Sequence, residues 1–480
     1  MTESNSSQSK SAGSNSSESN RSESNSSEST LDKVYLALTT EDEGRLCKDI
    51  PESACNDQPK HFITHVLSLS ATKMADGFID PKLILSWLLT QLGTSSFFIG
   101  LLVPIREAGA LLPQLFTAKW IRERQKRKWV WAIGSLAQGL CVAGMIISAT
   151  VFSSETAGVL IVGLLGLLAV ARSFCSVSYK DVLGKTVSKS TRGTATGLAG
   201  SIASTSVIVF ASLLMLGVIE LTINTVLLLL TLASLLWIFA SFFFLQLHEK
   251  NGSTENGSSA IAGIAQRIKE SFSDRQFVLF ILTRGLLIAT ALAPPFVLLL
   301  QQQITGSNKQ SLDSATLSSL SQSSFDSLNS LGLFIFASSI AGLLSSYVWG
   351  KLADRSSRKV LMISALTASL GFLAVLLLIN FAPHWLTTDF TLPVLLFVIM
   401  IAYQGVRLGR STHLVDMADD KSRANYTAVS NTIIGLLLLA GSVFGWISQL
   451  YGLNWVFVIF LSMCLLATFT AFNLNEVQSH

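Results

Sequence analysis

Charge is scarce in this chain. Only 13% of its 480 residues are charged and half are apolar, whereas soluble domains carry about 25% charged residues. Cysteine is equally sparse. Cys47, Cys55, Cys141, Cys175 and Cys464 show neither metal-ligand spacing nor a disulfide framework, so they read as inert thiols. There is no phosphate-binding loop, no HExxH, no nucleophile elbow and no Cys/His cluster. These absences point away from an enzyme, from nucleotide-driven work and from any cofactor or metal. The first sixty residues are polar, so no cleavable signal peptide is expected. The net charge of +4 does not read as nucleic-acid affinity, because the placement of the charges explains it better.

What the chain has instead is apolar length. Hydrophobic stretches of about twenty residues, enough to cross a bilayer as a helix, recur from Phe62 to Phe472. Twelve can be read: 62–90, 95–117, 129–150, 157–177, 194–217, 222–247, 276–300, 330–349, 360–381, 393–409, 427–450 and 455–473. The fold class expected is an all-α integral membrane protein. Lys and Arg are nearly missing from every second loop. Loops 118–128, 178–193, 248–275, 350–359 and 407–425 hold 22 of them, while the loops between hold one, Lys309. Positive loops stay cytoplasmic, so both termini and the central linker are expected in the cytoplasm of a cell membrane, fitting a bacterial inner membrane.

Five regions follow. Residues 1–60 form a cytoplasmic segment, disordered at least to 30, where SNSSES occurs twice and nothing apolar is available to bury. Residues 61–247 hold six spans, 248–275 form a polar linker, 276–473 hold six more, and 474–480 form a tail. Loop 301–329 is a long Ser/Gln-rich segment on the opposite side.

The halves resemble each other. Glu123-Arg124-Gln125-Lys126-Arg127-Lys128 aligns with Asp354-Arg355-Ser356-Ser357-Arg358-Lys359, each after the second span of its half. Arg172 and Asp181 are nine residues apart, as are Arg407 and Asp416. A duplicated six-helix unit is common in transporters. The stretch Gly350-Lys351-Leu352-Ala353-Asp354-Arg355-Ser356-Ser357-Arg358-Lys359 resembles the loop signature of the major facilitator superfamily, with Ser357 in place of its second Gly. The copy around Glu123 is more degraded. The resemblance implies two pseudo-symmetric six-helix bundles and a gating charge cluster at Gly350, Asp354, Arg355 and Arg358, with Glu123 and Arg127 as its counterpart.

Ionisable residues within spans are expensive and usually line a polar path. Lys73, Asp76 and Asp80 share one face of the first span, and His65 lies roughly on the same stripe. Arg106 and Glu107 sit near the middle of the second. Asp76 with Arg106 and Lys73 with Glu107 are the expected pairs. Such charges serve proton coupling or solute binding, or form a structural ion-pair network; all three readings stand at this point. Arg172, Arg284 and Arg407 are further candidates, or else reach for the interface. Tyr403 and Gln404 could hydrogen-bond a solute. A kink is expected at Pro81, and Pro294-Pro295 should break the seventh span. Exporters of the resembled family carry a Gly-Pro-rich mark in span five; here Gly197-Leu198-Ala199-Gly200-Ser201-Ile202 lacks the proline.

The expectation is a secondary active transporter moving a small solute by alternating access, coupled to protons, with direction open. The mixed charges suggest an amphiphilic or zwitterionic solute. Its partners would be that solute, protons and the lipid bilayer. The alternative is a non-transporting membrane sensor or scaffold on the same fold, using residues 1–60 or loop 301–329.

Overall fold

The computed structural model describes residues 35, 57–113, 117, 120, 121, 123–251, 271–312, 322–418 and 423–477. The Ser-rich segment, most of the linker and the middle of loop 301–329 lie outside the described residues. Among those described, the long elements are all helices: α1 Gln58–Phe78, α2 Ile84–Gln91, α3 Ser96–Leu111, α4 Lys128–Val151, α5 Ser154–Thr186, α6 Lys189–Met215, α7 Ile223–Phe244, α8 Arg275–Leu286, α9 Ile288–Leu312, α10 Gln322–Arg355, α11 Ser357–Phe381, α12 Thr391–Met417, α13 Arg423–Ala440, α14 Val443–Tyr451 and α15 Leu453–Phe472.

Among the described residues, ten stretches are long and apolar enough to cross a membrane. The first two expected spans fall short of that measure. α1 ends at Phe78 and α2 begins at Ile84, so the first span is broken. Pro81 has no N–H to continue the ladder. The Asp80 carbonyl accepts from Ile84 N at 2.9 Å and Leu85 N at 3.1 Å, which restarts the helix beyond the proline. α3 is only 16 residues long.

The seventh span breaks elsewhere than expected. Pro294 and Pro295 lie inside α9, and the interruption falls at Leu287, a turn or two earlier. A proline ring collides with the carbonyl four residues before it. The chain relieves this upstream, where Thr290 N bonds Leu287 O in a tightened i, i+3 turn. The helices around loop 301–329 also reach further than expected, to Leu312 and from Gln322. That segment has a single glycine and no proline to stop them.

The packing falls into two groups. In one, α1 packs on α6 and α7, α4 on α5 and α7, and α3 on α5. In the other, α11 packs on α12 and α15, α10 on α12, and α8 on α15. The groups meet where α6 packs on α10 and where α3 packs on α13 and α14. Large side chains such as Leu228 and Phe242 remain exposed on the outside, as a surface facing lipid requires.

At the end opposite the basic loops, the groups touch backbone to backbone. A Cβ on Gly100 would stand 2.5 Å from Gly445 Cα, and one on Gly332 would stand 2.7 Å from Met215 N. The rings of Phe97 and Trp446 are 5.9 Å apart beside the first contact.

The opposite, basic end is tied within each group instead. Arg127 pairs with Asp181, and Lys185 bridges Asp181 at 2.5 Å to Glu249 at 3.1 Å. The Glu249 carboxylate also accepts from Lys128 N at 2.7 Å. In the second group Arg358 faces Glu476 at 3.9 Å and donates to Leu474 O at 3.1 Å. Glu249 has no exposed side-chain surface. Glu249→Ala should therefore cost about 1–3 kcal/mol, because the part-buried Lys128 N–H loses its acceptor and Lys185 keeps Asp181 alone. A lowered unfolding midpoint in detergent would register it.

Candidate functional site

The charges of the first span meet those of the second, as their antiparallel run suggested. Arg106 Nη2 donates to Asp76 Oδ1 at 2.6 Å. Arg172 on α5 binds the other carboxylate oxygen of Asp76. It therefore turns inward rather than toward the interface. Two arginines on two helices thus share one aspartate, which is mostly withdrawn from solvent, its side chain 19% exposed.

The second expected pair is not made. Lys73 Nζ donates to Thr196 O at 3.0 Å, and its electrostatic neighbours are Arg407, Arg172 and Asp76. Glu107 faces Lys82, Arg410, Arg106 and Arg172. The reason is helical geometry. Successive residues point about 100° apart, so Arg106 and Glu107 cannot both face α1. With Arg106 on Asp76, Glu107 turns toward the second group. Asp80 serves locally, its Oδ1 accepting from Lys82 N at 3.1 Å. His65 leaves the charged stripe and lies buried, its Nε2 2.7 Å from Thr186 Oγ1.

Two residues absent from the sequence reading join the site. Lys82 holds its ammonium 3.6 Å from the centroid of the Tyr403 ring, a cation–π contact between the groups. Its signal was a lone lysine in an apolar run. Arg410 enters because α12 continues to Met417 rather than ending at 409. Arg407 and Arg410, three apart, were already on one helical face.

A cavity of about 550 Å³ lies beside these residues. Arg284, Gln404, Arg407, Arg410 and Asn431 supply its polar wall, and Leu408, Leu414 and Val415 carry it toward the basic end. A second, small pocket lined by Glu107 and Tyr403 shares Arg284, Arg407 and Arg410 with it. Arg284 donates to Ser430 Oγ at 2.5 Å and to Asn431 Oδ1 at 3.1 Å.

The expected gating residues are dispersed. Glu123 and Arg355 are exposed, and neither forms an ion pair among the described residues. Gly350 lies within α10 with open space around it. The Asp354 side chain lies outside the described residues. Only Arg127 and Arg358 are held, in the ties described above. Apart from this, Asp57, His61 and His248 bring potential ligand atoms within 4.8 Å of one another at the basic end.

The family model described as Major Facilitator Superfamily matches residues 66–325 and 310–480. The chain belongs to the Major Facilitator Superfamily. This makes it a multi-pass membrane protein of a transporter family, not an enzyme. Several solved structures of the superfamily share its fold. The nucleoside transporter NupG matches at TM-score 0.62 and 16% identity, covering 86% of this chain and 98% of that one. A D-xylose-proton symporter matches at TM-score 0.56 and 13% identity, covering 87% and 98%. The xylose transporter XylE from E. coli, inward open, matches at 0.57 and 12%, covering 87% and 97%. No curated protein sequence matches the chain.

Proposed function

We propose that this superfamily member is a proton-coupled secondary transporter that moves a small solute by alternating access between the two halves, 61–247 and 276–473. One observation carries the reading. A cavity with Arg284, Gln404, Arg407, Arg410 and Asn431 in its wall reaches toward one end of the bundle, an aspartate is shared by two arginines in the other half, and glycine backbones close the opposite end. A site reachable from one end only is one state of an alternating cycle.

Asp76 is the proton-coupling acid in this reading. Protonation would release Arg106 and Arg172 together and free α1, α3 and α5 to shift against one another. Arg284, Gln404, Arg407 and Tyr403 contact solute. The basic end faces the cytoplasm, following the positive loops, and the glycine contact closes the outer end of a cell membrane. Arg127, Asp181, Lys185 and Glu249 brace the first half there, with Arg358 and Glu476 in the equivalent place of the second. A proton symporter among the solved structures of like fold supports the coupling.

Purified protein in vesicles with an internal pH dye tests the reading. A panel of metabolites should include a solute that moves protons, and the sign of the pH change separates uptake from efflux. Solute flux without proton movement would remove the coupling. No flux of any kind would remove transport itself.

A further inference from the structure

The charges around the cavity do not cancel. The three acids of the region, Asp76, Asp80 and Glu107, are matched in number by Lys82, Arg106 and Arg172, which lie against them. Four cations then remain: Lys73, Arg284, Arg407 and Arg410. Lys73 and Arg284 have only neutral acceptors, namely Thr196 O for the first and Ser430 and Asn431 for the second. Arg284 is 6% exposed, and its Nε has no partner at all. Arg407 and Arg410 make no hydrogen bond or ion pair among the described residues. These cations also crowd one another. Arg407 is an electrostatic neighbour of Lys73 across the halves, and Arg410 of Arg284.

Of the four, Arg284 is buried, Lys73 and Arg410 are partly buried, and Arg407 is exposed where it lines the cavity; a buried cation beside like charges is costly, and proteins normally supply a counter-charge. Glu107 faces Arg410 but is shared with Lys82, Arg106 and Arg172, so the cluster keeps a surplus of positive charge, and three of the four cations line the same cavity. We propose, building on the transporter reading, that the solute is a small organic anion. Its carboxylate or phosphate group sits between Arg284, Arg407 and Arg410, and Lys73 closes on it from the first half. Three of these groups are guanidiniums, whose planar forks match the paired oxygens of such groups. The remaining wall, with Leu111, Leu408 and Leu414, suits an apolar body, and a volume of about 550 Å³ fits a metabolite-sized molecule. This replaces the zwitterionic solute suggested by the sequence, because Lys82 and Arg410 shift the balance toward positive.

The test is binding by the full-length protein in neutral detergent, read by thermal unfolding at constant ionic strength and independent of flux. The probes are benzoate, citrate, glycerol 3-phosphate and inorganic phosphate, set against neutral uridine and xylose and cationic tetraphenylphosphonium. At least one anion should raise the midpoint in a saturable way. R407Q/R410Q should weaken that anion at least tenfold, R407K/R410K less so, and Lys180→Gln, at an exposed position of α5, not at all. The Lys pair guards against misfolding as the cause of the loss. The proposal fails if no anion shifts the midpoint, or if the shift survives R407Q/R410Q. It also fails if only phosphatidylglycerol added to the micelles produces the shift, since the occupant is then a lipid headgroup. None of these failures touches the transporter reading, which the vesicle flux decides separately.

Discussion

Asp76→Asn is expected to bring solute-driven proton flux down to the level of empty vesicles. The carboxylate is shared by Arg106, at 2.6 Å, and Arg172. Asparagine keeps the volume, but it removes the one carboxylate that both guanidiniums bind, leaving Glu107 as their remaining acidic neighbour. It also turns one acceptor oxygen into an NH₂ donor that faces donors. Removing one partner of a fully buried ion pair costs about 3–5 kcal/mol; here Arg106 is buried but the Arg172 side chain is 39% exposed, so the loss falls mainly on the Arg106 pair. A lower unfolding midpoint should therefore accompany the lost flux. Two further variants separate coupling from structure. Asp76→Glu keeps the charge and should retain part of the flux. Adding Arg172→Gln to Asp76→Asn removes one stranded cation, so it should recover some stability without recovering proton movement. If the double variant regains coupled flux as well, Asp76 is a structural brace and Glu107 becomes the acid to examine.

Gly100→Leu should produce the second large effect, at least a tenfold fall in transport with the fold intact. Even a Cβ at this position would stand 2.5 Å from Gly445 Cα and 2.8 Å from Gly445 N. Those are backbone atoms on α14, which cannot rotate aside as a side chain would. The only relief is for α3 and α14 to part, which opens the end that the glycines close. A maleimide reporter at Ser96→Cys, on a background without the native thiols, should label faster from that side in Gly100→Leu. Gly163→Ala is the control. It is helical, has nothing within 4 Å, and should be neutral or slightly stabilising, by up to about 1 kcal/mol. Equal labelling in the Gly100 variant and its parent would mean that the contact is packing and not a gate.

Much of this molecule was legible before its tertiary structure. The apolar spans, their helical state and the basic bias of alternate loops follow from what a bilayer permits, and that constraint acts on each segment alone. The same local logic exposed Asp76 and Arg106, because a charge amid twenty apolar residues is conspicuous wherever it packs. The degraded and the nearly intact loop signatures, at Glu123 and at Asp354, were legible as a repeat for the same reason.

Which charges compensate one another was decided only by the way the helices meet. Glu107 was expected on Lys73, yet it faces the second half, because Arg106 had taken the side toward α1. Arg172 was a site candidate with the interface as its alternative, and only α5 brings it against Asp76. Lys82 and Arg410 joined the site only once the break after Phe78 and the extension of α12 to Met417 placed them. The surplus of cations on which the proposed charge of the solute rests is therefore a tertiary property. A sequence records how many charges a chain carries and roughly how deep they lie. Whether each has a partner depends on distances between helices far apart in the chain, and those distances exist only in the folded bundle.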